Sequence, residues 1–260
     1  MDLNLKGSSV LITGGSKGIG LATAHAFAAE GCNLHLAARS IDDLQAAKES
    51  ITHNFDVQVA IHVVDLSSGA NVLRLAETIG DVDILVNNAG AIPGGTIEKM
   101  DEEQWRAAWE LKVFGYINMM RAYCKKMKSR GQGVIVNIIG NAGNQAPAEY
   151  AAGVSADAML EVLTRTLGGE SLDRGVRVVG VSPGDLMNER GIMFLRNQAE
   201  KDLGDSERWR ERLADLPGGR AGTSEEIADA VVFLSSPRAR YISGAVLTID
   251  GGVSARRAVM

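Results

Sequence analysis

The chain has few of the residues that build disulfide-stapled or metal-centred proteins. Of its 260 residues only two are cysteines, Cys32 and Cys124, far apart in sequence and without metal-ligand spacing. They read as free thiols in a reducing compartment. The four histidines, His25, His35, His53 and His62, fall on early helical and strand-like stretches, away from the loops that follow strands. They are expected to be structural or exposed, and no metal site is expected. There is no excess of positive charge: 27 basic against 32 acidic residues give a formal charge of −5. That balance excludes nucleic acid or anionic lipid as a partner held by bulk electrostatics. The N-terminal MDLNLKG carries no apolar signal stretch, and no later run is long enough to span a membrane. Internal repeats, low-complexity tracts and linkers are also lacking. A soluble cytoplasmic protein is the expectation.

What is present is a regular alternation. Short apolar runs at Val10–Thr13, Asn33–Ala37, Val59–Val64, Ile84–Val86, Val134–Ile138, Val176–Val181 and Val246–Ile249 predict strands. They are apolar throughout, as strands covered on both faces are. Helical patterns lie between them, at Ile19–Glu30, Ile41–His53, Ser68–Ile79 and Asp101–Lys128. Such alternation predicts one α/β domain over residues 1–260, a doubly wound parallel sheet of about seven strands with helices on both faces. Right-handed crossovers then place the loops after the strands on one edge, where ligands bind. The long charged segment Asn188–Leu216 breaks the rhythm. It reads either as a helical lid over a substrate pocket or as a surface helix pair at a subunit interface.

Within this frame SSVLITGGSKGIG, Ser8 to Gly20, runs from a strand through a glycine turn into a helix. Gly14, Gly18 and Gly20 let backbone approach a ligand closely, and open amides at the helix start favour a pyrophosphate. The residues placed to hold a dinucleotide here are Gly14, Ser16, Lys17, Gly18, Ile19 and Gly20. The second strand ends LHLAARS, with Arg39 and Ser40 where an acid would bind a ribose 2′-hydroxyl. Arg39 together with Lys17 suits a 2′-phosphate, so NADP(H) is expected over NAD(H). Asp65 and Leu66, closing the third strand, are placed to flank the adenine.

TGGSKGIG at Thr13–Gly20, Asn87-Asn88-Ala89-Gly90, Ser182-Pro183-Gly184 and the closing GRAGTSEEIADAVVFLSSPRARYISGAVLTIDGG stand in the order of a known family. From about Leu5 to Gly252 the chain resembles the short-chain dehydrogenases/reductases. The resemblance implies a three-layer Rossmann fold, NAD(P) binding, a homotetramer or homodimer, and hydride transfer between a hydroxyl and a carbonyl of a small molecule. It implies that Asn87, Ala89 and Gly90 line the cofactor ribose and stabilise the central sheet, that Asn88 also binds the cofactor, and that Pro183, Gly184 and Leu186 border the nicotinamide, with Asn188 near the carboxamide. Gly219 and Arg220 are expected to fix the turn before the last helix.

The family's chemistry uses an Asn on the fourth helix, a Ser after the fifth strand, and a Tyr followed four residues on by a Lys that lowers the Tyr pKa. Placed on this sequence, only Tyr150 matches, as a cofactor contact and as the acid or base. Gly140 stands for the Ser, Val154 for the Lys and Lys112 for the Asn, and the Gly140 to Tyr150 interval is shorter than is usual in the family. On this alignment, Ser at 140 with Lys at 154 would raise activity. Two residues are candidates to complete the altered set. Asn141 either donates to a substrate oxygen or hydrogen-bonds its own turn. Lys112 either supplies the missing cation beside Tyr150 or pairs with a carboxylate such as Glu110 or Glu149. Two functions follow. One is an NADP(H)-dependent oxidoreductase with an altered site. The other is a nucleotide-binding protein outside redox chemistry, lyase- or isomerase-like, or a non-catalytic subunit or sensor.

Overall fold

The computed structural model describes residues 1–256. Each of the seven predicted runs forms a strand: β1 (Ser9–Thr13), β2 (Asn33–Ala38), β3 (Val59–Val63), β4 (Ile84–Asn87), β5 (Gly133–Ile138), β6 (Val176–Pro183) and β7 (Val246–Ile249). All pair in parallel, in the order β3-β2-β1-β4-β5-β6-β7. The chain winds outward from β1 to β3, then returns to the other side of β1 with β4. That reversal opens a crevice at the carboxyl ends of β1 and β4.

Side chains alternate across the sheet and feed two cores. Val10, Ile12, Leu34, Leu36, Val136 and Val179 meet Phe27 of α1 (Gly18–Ala29), Leu44 of α2 (Ile41–Asn54) and Val231 of α9 (Ser224–Ser235) on one face. On the other, Leu11, Leu85, Ile135 and Val178 meet Leu75 of α3 (Gly69–Ile79), Tyr116 and Met120 of α5 (Gly115–Arg130) and Leu160 of α7 (Ala151–Ser171). Burial on both faces fails at the sheet edges, where Val63 of β3 and Leu247 of β7 remain half exposed.

One stretch departs from the sequence reading. Asp101–Lys128 is not one regular helix: α4 (Glu102–Trp109) passes through a π-turn, Glu110–Phe114, before α5 begins. The extra residue per turn changes which side chains face inward, and Lys112 sits in that turn. The 188–216 segment forms α8 (Glu189–Leu203) and a 3₁₀ stretch, Ser206–Asp215, which close a satellite core around Leu195, Ala199 and Trp209. The short α6 (Ala142–Gln145) links β5 to α7. Among the described residues no helix is long and apolar enough to cross a membrane.

Candidate active site

The crevice is a cavity of about 930 Å³ along the carboxyl edge of the sheet, between the glycine turn and α8. The turn is shaped by contact. Gly14 and Gly18 adopt positive φ, and a Cβ on Gly20 would fall 2.1 Å from the Gly14 carbonyl oxygen. The start of α1 has no side-chain cap and no acid in its first turn, so its first amides remain open to an anion. Thr13 ties the turn to the loop after β4: its Oγ1 accepts from the amides of Asn88 (2.9 Å) and Ala89 (3.1 Å). Asn88 answers through Nδ2, which donates to the carbonyls of Thr13 and Gly14 at 3.0 and 3.1 Å. Gly14, Lys17, Gly18, Ile19, Asn88, Ala89 and Gly90 therefore share one wall of the cavity. Pro183, Gly184 and Leu186 line it from β6. These residues fit a dinucleotide: an uncapped helix start, a glycine cradle and backbone within close reach.

Several expected contacts are engaged within the protein or lie outside the cavity wall. Ser16 and Gly20 do not line it; Gly20 serves the close packing of α1 on the turn. Ser40 caps α2, its Oγ accepting from the Asp43 amide at 3.2 Å. Arg39 is exposed beyond the end of β2. Lys17 pairs with Asp43 at 3.1 Å, so half of the expected positive charge already has a carboxylate. Asp65 accepts from the amide and hydroxyl of Ser67, and those bonds hold its carboxyl below the usual range. The Leu66 side chain is buried in the core beneath. Asn188 lines the cavity and caps α8, its Oδ1 accepting from the Gly191 amide at 2.9 Å while its Nδ2 reaches the Ser224 hydroxyl at 3.5 Å. Arg220 braces the turn before α9 through a paired contact with Glu226 at 2.6 and 3.0 Å.

The centre of the cavity is built differently from the sequence alignment. Tyr150 precedes the first residue of α7 with non-helical backbone (φ −134°, ψ 39°), so Tyr150 and Val154 do not stack along one helical face. Val154 does not line the cavity; Asp157 does. The two α7 positions four apart and turned toward the site are Gly153 and Asp157. A Cβ on Gly153 would lie 1.9 Å from the Tyr150 ring, and one on Gly140 would lie 2.5 Å from Asp157 Oδ2. Gly140 also has φ +152°, which disfavours a side chain. The two glycines therefore make the space that the Tyr150 ring and the Asp157 carboxylate fill. Moving the alignment three residues along, to Gly153 and Asp157, lengthens the interval from Gly140 from ten residues to thirteen. Ser at 140 with Lys at 154 would consequently not rebuild the family's set, because Ser would strike Asp157 and Lys would start from a position off the cavity.

Lys112 extends from the π-turn into this centre, its side chain only 12% exposed. Its Nζ donates to the carbonyls of Ile138 (3.0 Å) and Ile139 (2.6 Å) and lies 3.8 Å from Asp157 Oδ1. Burial lowers the Lys112 pKa and raises that of Asp157, each partner opposing the shift of the other. Neither carboxylate named from the sequence is its partner; Glu149 instead takes Lys201 at 2.8 Å. The cation on the Tyr150 hydroxyl is Arg190 of α8, whose Nη2 donates to it at 3.1 Å. Burial raises the Tyr150 pKa, and the guanidinium works against that rise. Asn141 lines the cavity, but its Nδ2 donates to Asp250 at 3.3 Å and its amide to the Pro183 carbonyl, so it braces two loops.

Sequence reading missed Thr13, Asp157, Arg190 and Phe194. Thr13 opens the glycine motif and could have been found by its place there. The others carry no local signal, since Asp157 meets Lys112 of the π-turn, and Arg190 and Phe194 meet Tyr150, only in the folded chain. The histidines are remote from the cavity: His35 and His62 hydrogen-bond to each other at 3.1 Å and His25 to Ser50 at 2.8 Å. Among the described residues no cluster could hold a metal ion.

Residues 14–254 match the family model described as enoyl-(acyl carrier protein) reductase. The chain is 35% identical to the 3-oxoacyl-[acyl-carrier-protein] reductase FabG of Vibrio cholerae, over 96% of this chain and 99% of that one. It is 34% identical to a galactitol 2-dehydrogenase (L-tagatose-forming) of Cereibacter sphaeroides, over 95% of each. Among solved structures it is similar to the L-sorbose reductase of Gluconobacter frateurii, complexed with NADPH and L-sorbose. There the TM-score is 0.90 and the identity 32%, covering 99% of this chain and 100% of the other. With a seven-stranded parallel sheet, the glycine cradle at its switch point and oxidoreductase relatives matched end to end, the chain belongs to the short-chain dehydrogenase/reductase family.

Proposed function

We propose that the chain is an NADP(H)-dependent oxidoreductase that interconverts a small carbonyl compound and its alcohol, with Tyr150 exchanging the proton. The observation that carries this reading is the Tyr150 hydroxyl in the cavity, hydrogen-bonded at 3.1 Å to the Arg190 guanidinium. With the dinucleotide bound along the cavity, its nicotinamide would supply or accept the hydride. Gly14, Gly18 and the open amides of α1 would hold its pyrophosphate, and Arg39 and Lys17 its 2′-phosphate. The NADPH complex of the sorbose reductase supports the same cofactor.

In the reducing direction the substrate oxygen gains charge and takes the phenolic proton, leaving Tyr150 as phenolate. A buried phenol keeps its proton until that moment, which suits a donor, and Arg190 stabilises the phenolate that remains. In this role Arg190 would supply the charge on Tyr150 that the family assigns to its Lys. Lys112 does different work: with the Ile138 and Ile139 carbonyls it holds Asp157 beneath the pocket.

A second reading, nucleotide binding without redox chemistry, draws on one specific observation. Gly140, Gly153 and Asp157 together leave the site without the hydroxyl and the α7 cation that usually flank the reacting oxygen. The two separate by measuring NADPH binding through its fluorescence, then NADPH consumption over a panel of carbonyl compounds, in wild type and Tyr150→Phe. Turnover that falls at least a hundredfold in the variant, with binding retained, supports the oxidoreductase. Binding with no turnover on any compound sinks it and leaves the second reading. We also propose a homo-oligomer. A groove of about 530 Å³ on α4, lined by Trp105, Trp109 and the exposed Ile97 and Phe114, is open to a second copy, and light scattering of the purified chain reads the state.

A further inference from the structure

The wall that α8 presents to the cavity is largely polar, with Arg190 and Lys201 as its cations and Glu189 and Asp202 as its carboxylates. Arg190, Phe194, Asn197, Gln198 and Lys201 recur at helical spacing and all line the cavity. They offer two amides, two cations and one aromatic ring, and the two α8 carboxylates that also line the cavity are engaged elsewhere, Asp202 with Arg212 and Glu189 on Lys17. These donors suit a ligand rich in hydroxyl and carboxylate oxygens.

The cations of the cavity differ in one respect. Lys17 is paired with Asp43, Lys112 with Asp157, Lys201 with Glu149, and Arg212 with Asp202 and Asp215. Among the described residues Arg190 alone of these five has no carboxylate within ion-pair distance. Its three hydrogen bonds go to neutral acceptors: the Gly90 carbonyl at 3.1 Å, the Ile92 carbonyl at 3.2 Å and the Tyr150 hydroxyl at 3.1 Å. The Phe194 ring, 5.5 Å from the guanidinium carbon, covers it on one side. The group is thus fixed in place beside Tyr150, and two of its five N–H donors remain uncommitted. A fixed planar cation with spare donors takes a carboxylate better than a mobile one, because its ordering cost is already met. Two carboxylates also line the cavity without an ion pair, but neither serves Arg190. Glu189 acts on Lys17, and Asp185 lies on the side of Asp250.

We propose that the substrate end of the cavity binds a small hydroxylated or oxo carboxylate, whose carboxylate is received by Arg190 while the α8 amides face its other oxygens. This rests on reading the cavity as a dinucleotide and substrate site, and it names the substrate class of that site. An anion at Arg190 could also be a phosphate of the cofactor, and the experiment separates the two.

Two matched pairs of probes differ by one charge: D-gluconate against D-glucitol, and 4-oxopentanoate against its methyl ester. Each is titrated calorimetrically into the full chain saturated with NADP⁺. The carboxylate of at least one pair is expected to bind tenfold or more tightly than its neutral partner, about 1.4 kcal/mol. Arg190→Met is expected to erase that preference and Arg190→Lys to keep part of it, while the NADP⁺ Kd of both stays within about twofold of wild type. Equal affinity within both pairs in wild type overturns the proposal, as does a preference that survives Arg190→Met. A tenfold rise in NADP⁺ Kd in Arg190→Met, with the preference intact, assigns Arg190 to the cofactor and overturns it as well. Failure of wild type to bind NADP⁺ would instead count against the cofactor reading. The pairs are then titrated into the chain alone, where the Arg190-dependent preference still decides.

Discussion

Gly140 and Asp157 are expected to be energetically coupled, although 17 positions separate them in sequence. A Cβ at 140 would approach Asp157 Oδ2 to 2.5 Å, its Cγ to 3.1 Å and its Oδ1 to 3.3 Å. The carboxylate has little room to retreat, because its side chain is only 7% exposed and Oδ1 faces the Lys112 ammonium. Gly140→Ala therefore has two separate costs. Forcing a side chain onto the positive φ costs about 1–3 kcal/mol, and displacing the carboxylate costs about 1–3 kcal/mol more. Only the second depends on Asp157. In a Lys112→Met/Asp157→Ala background, which removes both buried charges together, the same change at 140 should cost only the backbone strain. Urea unfolding of the four proteins closes a double-mutant cycle with an expected coupling of about 1–3 kcal/mol. If Gly140→Ala costs the same in both backgrounds, Asp157 does not fill the space above Gly140.

Further outcomes follow from the same contacts. Lys112→Met alone leaves the Asp157 carboxylate buried without its cation and should destabilise the fold by about 3–5 kcal/mol at neutral pH. Lys112→Met/Asp157→Leu should recover most of that loss in the same unfolding assay. Burial already raises the folded Asp157 pKa above its ordinary 3.8, and losing the ammonium raises it further. The stability of Lys112→Met should therefore fall as pH rises through that folded pKa, and its deficit should shrink as pH is lowered toward about 4, which unfolding from pH 7 to pH 4 measures. At the nucleotide end, Arg39→Ala should raise the NADPH Kd about tenfold to a hundredfold and leave that of NADH unchanged, the loss of about 1.5–3 kcal/mol of charged hydrogen bonding. Lys17→Ala should have the smaller effect, because Asp43 already holds that ammonium. Fluorescence titration of both variants checks the order.

The strands and the glycine turn were legible because their signals are local. A run such as Val10–Ile12 is apolar on both faces whatever surrounds it, and Gly14, Gly18 and Gly20 report backbone that any neighbour must approach closely. Helix phase was less legible. The π-turn at Glu110–Phe114 shifts Lys112 relative to a regular helix, and nothing in its five residues announces the extra residue per turn. Ser40 looked like a cofactor contact by position, yet its hydroxyl caps α2, a use equally well written in its sequence context.

The centre of the site divides along the same line. Sequence by itself determined the parallel sheet and the glycine turn at its switch point, and singled out Gly140 and Lys112 against the catalytic set that the resemblance implies. Tertiary structure decided what stands in its place. The Tyr150 ring occupies the space over Gly153, Asp157 fills the space over Gly140, Lys112 balances Asp157, and Arg190 arrives from α8 to meet the phenol. Each of these is a contact between residues distant along the chain. A string of residues specifies its own periodicity and its own turns, but a missing Cβ has meaning only once the atom that fills its space is known.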